Sequence, residues 1–407
     1  MAPDGPAAAP RICCLDLDTF FVSVERLLDP SLEGKPVVVG GRPGERGVVT
    51  AASYEVRSNG VHSGMSLTRA YELAPHAIFV PTRHDTYSDY AERVREIAKR
   101  YSPVVQVASI DEMFIDFRGC ERVFARESDA DDDETIYRTV CELTDTIQNE
   151  TGLPSSAGIA TSLVVSKVAS GLAKPRGVII VPAQRELSLL GPLPVRRFPG
   201  IGPVGERKLV DAGITTLAQV ASAPAIVLQR IFGAWGPKIQ AGVRGLGSAD
   251  LGRERPAFRE HDPEGEAVGS ISNERTFMED VGDEQSIESM LCSLTERVCW
   301  RARKRGLQAR TVTLKLRYSD FMTISRSRTL TPTNNELELY PVVKDIYERA
   351  RTRSLRIRLL GLQLSNLGLF QQLDLFGRDA RVHDVVDAIR ERWGYDTVRL
   401  ATGQRRS

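Results

Sequence analysis

The chain has 407 residues, a formal net charge of +1 and a hydrophobic fraction of 42%, which predicts packed cores divided among roughly two to four domains, since single cores rarely grow past about 250 to 300 residues. Its six cysteines, Cys13, Cys14, Cys120, Cys141, Cys292 and Cys299, form no CxxC pair, which excludes a disulfide framework and a zinc ribbon. No run approaches the ~20 apolar residues of a membrane span, and residues 1–10 lack the basic and apolar segments of a secretion signal, so a cytoplasmic protein without membrane contact is expected.

In chain order, residues 11–21, RICCLDLDTFF, read as an apolar strand ending in two carboxylates. Asp16 and Asp18 fall on one face because side chains alternate along a strand, and the pattern does not choose between them. Residues 36–40 and 47–52 read as short strands joined by a glycine-rich turn. A short helix from Tyr54 sets Tyr54 and Arg57 on one face; an Arg beside a Tyr suits bidentate contact with a triphosphate, although a plain surface pair is the commoner meaning. This helix breaks at Asn59 and Gly60, and another ends before Pro75.

A helix over residues 87–101 feeds residues 107–117, VASIDEMFIDF, a hairpin with Asp111 and Glu112 at its apex. Adjacent buried carboxylates repel one another and lose hydration, so a cation must compensate them, although an acidic hairpin tip is more often a solvated turn. Joined to the acids of the first strand, the pair suits two Mg²⁺ ions, which accept oxygen ligands, water and substrate phosphates. Nucleotidyl transfer is the first expectation.

The acidic run ESDADDDE at residues 127–134 reads as a solvated loop, followed by a helix over residues 135–150. A strand ending near Thr161 opens a further helix, and Lys174 stands in the turn before a strand over residues 178–181, placed to reach a phosphate. A lone Lys in a turn is more often simply solvated. This order predicts an α+β sheet with its helices on one face. In PGIG at residues 199–202, Gly200 and Gly202 turn tightly and expose N–H groups at a helix N-terminus, and the continuation LVDAGITTLAQVASA reads as a helix-hairpin-helix that binds duplex backbone without reading bases.

Between Arg301 and Arg328 there are nine basic residues against one acid, Asp320, so a polarised face for nucleic acid is expected despite the small net charge. Strands over residues 311–318, 322–329 and 355–364, with helices over residues 283–304 and 336–353, predict an α/β domain whose open face carries Lys315 and Arg317. Residues 383–393 place Val385, Val386, Ile389 and Trp393 at helical spacing.

Asp16-Leu17-Asp18 with Phe20-Phe21, Tyr54-Glu55-Val56-Arg57, Ser109-Ile110-Asp111-Glu112, Lys174-Pro175 and Pro199-Gly200-Ile201-Gly202 occur in the order and approximate spacing of the Y-family DNA polymerases. Over nearly its whole length the chain resembles their DNA polymerase IV, or DinB-type, branch. The resemblance implies an α+β right-hand fold: palm (residues 11–23 and 84–184), fingers (24–83), helical thumb with the helix-hairpin-helix (185–248), linker (249–262), a C-terminal α/β little finger (263–365) and a tail (366–407).

It also implies roles. Asp16 and Asp111 would bind both Mg²⁺ ions, Glu112 would complete the catalytic site and the Leu17 carbonyl would serve one ion, so the family pattern chooses Asp16 over Asp18. Phe20, Phe21, Tyr54, Arg57 and Lys174 would hold the incoming dNTP, with the Phe21 ring as a steric gate where a ribose 2′-hydroxyl would go. Gly200, Gly202, Lys315 and Arg317 would lie on primer-template DNA. Gln372, Leu373, Asp374, Leu375 and Phe376 resemble the bacterial sliding-clamp-binding peptide, with Leu373, Leu375 and Phe376 entering a pocket and Gln372 adding a polar contact; about thirty residues follow it, whereas such peptides often end the chain. The implied function is low-fidelity translesion synthesis by a monomer without a proofreading exonuclease. The alternative is a non-catalytic, clamp-bound adaptor of the same fold, which would be expected to have lost its acids. A palm-type nucleotide cyclase would have no use for the helix-hairpin-helix or the basic sheet, and a helix-hairpin-helix nuclease would not carry its acids upstream in a palm pattern.

Overall fold

The computed structural model describes residues 9–251, 269–369 and 380–399, with side chains from residue 383 onward in the last segment. The chain divides into two units, Met1–Phe258 and Arg259–Ser407.

In the first unit β1 (Ile12–Leu17) leads through a turn into α1 (Phe20–Leu28). A small subdomain follows, made of β2 (Val37–Val39), β3 (Ala51–Ala52), α2 (Tyr54–Arg57), α3 (Leu67–Leu73) and β4 (Ile78–Val80). Its sheet order is β3-β2-β4, and its core uses mostly short side chains: Val38, Val49, Ala52, Val56, Val61, Leu67, Ala70 and Ala74. The chain then passes through α4 (His84–Lys99) to the hairpin of β5 (Val105–Val107) and β6 (Glu112–Asp116). Next come α5 (Glu121–Phe124), α6 (Asp132–Thr151), β7 (Ser155–Ala160), α7 (Leu163–Ala173) and β8 (Val178–Ile180). The five strands order as β5-β6-β1-β7-β8, so the first strand in sequence is the central one in space.

Alternation along β1 decides what covers it. Cys13, Leu15 and Leu17 join a core with Val94 and Ile97 of α4 and Ile136, Val140 and Leu143 of α6. Cys14 points to the opposite face, where the Ser170 hydroxyl of α7 donates to its Sγ at 3.5 Å. Helices therefore cover both faces, which corrects the one-sided arrangement expected from sequence. The close approach of α7 depends on Gly158, the neighbour of Cys14 in register: a Cβ there would stand 2.2 Å from Ser170 N and 2.3 Å from Ser166 O.

The acidic run is turn and loop over residues 127–131, as expected, and a helix start over residues 132–134. Asp131 caps α6 by accepting from Glu134 N at 2.8 Å, and Asp132, Asp133 and Glu134 occupy the first turn, at the positive end of the helix dipole. Asp133 accepts from Arg11 Nε at 2.7 Å, and hydrogen bonds from Arg138 hold Asp129 well below the usual carboxylate range.

After β8 the chain is helical: α8 (Glu186–Leu190), α9 (Pro203–Asp211), α10 (Leu217–Ser222), α11 (Ala225–Phe232) and α12 (Trp235–Val243). They gather on Leu209, Leu217, Val220, Leu228, Ile239 and Val243.

The second unit contains β9 (Ser270–Val281), α13 (Glu284–Arg303), β10 (Gln308–Tyr318), β11 (Thr323–Thr333), α14 (Glu336–Ala350) and β12 (Ile357–Gly368). Its antiparallel sheet runs β11-β10-β12-β9. Val312, Leu314, Leu316 and Tyr318 of β10 face the helices, leaving Lys315 and Arg317 on the other face as expected. β9 was not expected; Ile271 and Phe277 are its only buried residues, so it offers little alternation to read.

The last element, α15 (Ala380–Trp393), departs from its apolar reading. Val385 and Trp393 are 60% and 67% exposed, while Arg390 pairs with Glu296 of α13 at 2.7 Å with both side chains 1% exposed. Arg303 of α13 reaches Asp387 at 2.7 Å. Two ion pairs, one of them fully buried, tie this helix to α13.

Gly158→Ala should lower unfolding stability by about 2 to 3 kcal/mol, because the methyl overpacks against backbone that cannot yield. Chemical denaturation measures it, and an unchanged midpoint would show that α7 has room to shift.

Candidate active site

The register of the central sheet places Asp16 directly opposite Glu112, and Leu17 N–H donates to the Asp111 carbonyl at 2.9 Å. Opposed residues of an antiparallel pair project to the same face. The end of the first strand and the tip of the hairpin, about a hundred residues apart in sequence, are thus one place. The face they share is the one that α7 covers. Lys167 of α7 pairs with Glu112, and Lys174, the residue that ends the helix, pairs with Asp16. The Ser109 hydroxyl donates to Asp111 Oδ1 at 2.5 Å.

The charges do not balance at Asp16. Burial is the main cause that pushes its carboxyl up to about 6; Lys174 opposes the shift and the charges of Asp111 and Glu112 add to it. At Lys174 burial works against the charge, but Asp16 and then Asp18 outweigh it and raise the ammonium pKa. Asp18 is different. It is 1% exposed, accepts from the Ser156 hydroxyl at 2.9 Å and from Arg176 N at 2.8 Å, and so holds the turn between α7 and β8 against the end of β1. The two acids that alternation alone left open thus stand in different surroundings.

Three carboxylates and the Leu17 carbonyl are hard oxygen donors, the set that Mg²⁺ accepts. The upward shift of Asp16 fits the same reading, since a divalent cation would relieve the repulsion that contributes to it. Among the described residues no group of three or more His, Cys, Asp or Glu side chains is arranged to hold a metal ion.

Tyr54 and Arg57 do share a face: the guanidinium lies 5.2 Å from the Tyr54 ring centroid, and Arg57 Nε donates to the Ala52 carbonyl at 2.9 Å. Burial, followed by the charge of Asp18, raises the Tyr54 pKa while Lys174 and Arg57 lower it, so Tyr54, Arg57 and Lys174 stand within electrostatic reach of the acidic edge. Phe20 is buried. The ring of Phe21 stacks on Tyr87 at 4.2 Å and meets His84 edge-on at 6.2 Å. Tyr87 is itself anchored by donating to Glu25 at 2.6 Å, so the Phe21 ring has a fixed backing.

Gly200 adopts φ +93 and Gly202 caps α9, which leaves the N-terminus of that helix in the turn expected to meet phosphate. On the second unit Lys315 pairs with Glu274 at 2.9 Å and Arg317 donates to Thr323 at 2.9 Å. The basic cluster is less uniform than its sequence suggests, because Arg303 is buried against Glu336 and Asp387. Gln372, Leu373, Leu375 and Phe376 lie outside the described residues. Sequence reasoning missed Lys167 and the Tyr87–Glu25 anchor. The first carried a signal, as the only charged residue within α7; the second carried none, since its partners are 62 positions apart.

Comparison with known proteins follows this geometry. The impB/mucB/samB family model matches residues 15–171, the C-terminal domain model of that family matches residues 268–375, and the IMS family HHH motif matches residues 183–214. A DNA polymerase IV of Dehalococcoides mccartyi (strain CBDB1) is 36% identical over 394 residues, 95% of this chain and 96% of that protein. One from Streptomyces coelicolor is 37% identical over 374 residues, 91% of this chain and 74% of that protein. A solved Y-family DNA polymerase chimera, Dbh-Dpo4(243-245)-Dbh, superposes with a TM-score of 0.75 at 24% identity, covering 88% of this chain and all of the other, a likeness of fold. The chain belongs to the impB/mucB/samB family, the Y-family DNA polymerases. Among the described residues no helix is long and apolar enough to cross a membrane.

The two neighbouring acids should respond oppositely to removal in metal-free buffer near neutral pH. The folded chain holds the Asp16 proton more tightly than the unfolded chain does, so ionising Asp16 costs stability and Asp16→Ala should leave the unfolding midpoint unchanged or raise it. Asp18→Ala orphans the buried Ser156 hydroxyl and the part-buried Arg176 N–H and should cost about 2 kcal/mol. Greater damage from the Asp16 change would contradict these roles.

Proposed function

We propose that this chain is a DNA-directed DNA polymerase of the translesion type, adding a deoxynucleotide from a dNTP to a primer 3′-hydroxyl at the edge formed by Asp16, Asp111 and Glu112. The observation that carries the reading is the register that sets Asp16 opposite Glu112. An adaptor kept only for protein contacts has no use for three acids gathered at a raised electrostatic cost.

Held by the carboxylates of Asp16, Asp111 and Glu112 and the Leu17 carbonyl, divalent cations, two Mg²⁺ in our reading, would acidify the 3′-hydroxyl and neutralise the triphosphate and departing pyrophosphate. The rest falls to the chain. Lys174, Tyr54 and Arg57 flank the acids on the side where a triphosphate would lie, with Arg57 suited to bidentate phosphate contact. Phe21, backed by Tyr87, presents a ring to the sugar and excludes a 2′-hydroxyl. Gly200 and Gly202, at the N-terminus of α9, hold duplex phosphate, as do Lys315 and Arg317 on the open sheet.

The palm, fingers, thumb and little-finger boundaries given above are part of this proposal. The subdomain of β2, β3 and β4, with its small core of short side chains, supports a fingers element that closes loosely over the nascent pair and so tolerates damaged templates. Residues 372–376 are proposed to bind a sliding clamp, and the enzyme to act as a monomer in the cytoplasm.

Asp111→Ala should abolish primer extension with Mg²⁺ and dNTPs while leaving primer-template affinity within about twofold, since the acid faces the reaction and not the duplex; normal extension would remove the assignment. Phe21→Ala should admit ribonucleotides, read as incorporation from rNTPs, and unchanged sugar selection would place the gate elsewhere.

A further inference from the structure

We propose that Lys167 is a positioning residue for nucleotidyl transfer, holding the Glu112 carboxylate at the angle the reaction needs; this rests on the reading of Asp16, Asp111 and Glu112 as the reactive edge. Lys167 is the only charged residue within α7, LVVSKVASGLA, whose other side chains are apolar or small. Val165 and Ala169 on the same helix are buried in the core, and Gly158 lets the helix lie close to the sheet. The backbone that carries Lys167 is therefore rigidly placed.

Its ammonium reaches Glu112 Oε2, with the Glu112 side chain 10% and that of Lys167 43% exposed. A carboxylate so buried, with Asp16 opposite it in register and Asp111 next to it in sequence, would turn away from its neighbours unless a cation held it. Lys167 supplies that cation from α7, the helix that covers this face of the sheet. Its charge also offsets that of Glu112 at Cys14, which lies on the same face of β1 as Asp16.

The two lysines divide the work. Lys174, seven residues further on, pairs with Asp16 and stands within reach of Asp18 and Tyr54, on the triphosphate side. Lys167 takes the other acid. Removing Lys174 should therefore weaken dNTP binding, whereas removing Lys167 should disturb the geometry of the reacting edge with the nucleotide still bound.

The test compares wild type, Lys167→Met and Lys167→Arg in single-nucleotide primer extension, with Mn²⁺ binding measured by calorimetry on the complex with a dideoxy-terminated primer and dNTP. Lys167→Met should lose about 10- to 100-fold in kcat with KM for dNTP, primer-template affinity and unfolding midpoint close to wild type, and should bind Mn²⁺ several-fold more weakly. Lys167→Arg, which keeps the cation, should recover most of both losses. An unchanged kcat, a rise in KM for dNTP alone, a chain that fails to fold, or equal failure of the Arg variant would each overturn the proposal. Should the wild type itself not extend primers, the polymerase reading falls, an outcome separate from these.

Discussion

One backbone hydrogen bond, from Leu17 N–H to the Asp111 carbonyl, and the strand register that it extends bring together acids from two distant parts of the chain. The surrounding fold can be read as support for that juncture. β1 is central, so its end is braced by β6 on one side and β7 on the other. The face of β1 that carries Cys13, Leu15 and Leu17 is sealed by α4 and α6, which leaves the alternate face, with its carboxylates, for α7 and its lysines. A slip of one residue would send the acids into the apolar core, so the register is enforced by the same burial that it exploits.

The site is a compromise between stability and chemistry. Three carboxylates close together on a partly buried edge repel, and two lysines answer them incompletely: Asp16 still has its pKa pushed up to about 6, with burial as the first cause. Asp18, two residues on, shows what a carboxylate at this sheet edge looks like when it serves the fold: buried and bonded by Ser156 and Arg176. The residual imbalance at Asp16 is what an incoming cation would relieve.

Much of this was legible in the sequence because it is written locally. The strand ending in Asp16, the hairpin bearing Asp111 and Glu112, the Tyr54–Arg57 pair and the PGIG turn are short, contiguous signals. Alternation along β10 likewise announced which face of its sheet carries Lys315 and Arg317. What sequence could not show depends on long-range pairing. Lys167 gains meaning only from Glu112, 55 positions away, and the backing of Phe21 depends on Tyr87 reaching Glu25. Only the end of the acidic run, residues 132–134, was misread, because capping by Asp131 and ion pairing to Arg11 turn it into a helix start. The helix α15 was legible in its spacing, but that spacing gave no sign of the buried Arg390–Glu296 pair that anchors it. β9 escaped notice because a strand with two buried residues has almost no pattern.

The most direct measurement is Mn²⁺ anomalous scattering from crystals of the chain with a dideoxy-terminated primer, template and dNTP. The account predicts two peaks about 3.5 to 4 Å apart, both liganded by Asp16 and Asp111. Peaks that leave either carboxylate unliganded would contradict it.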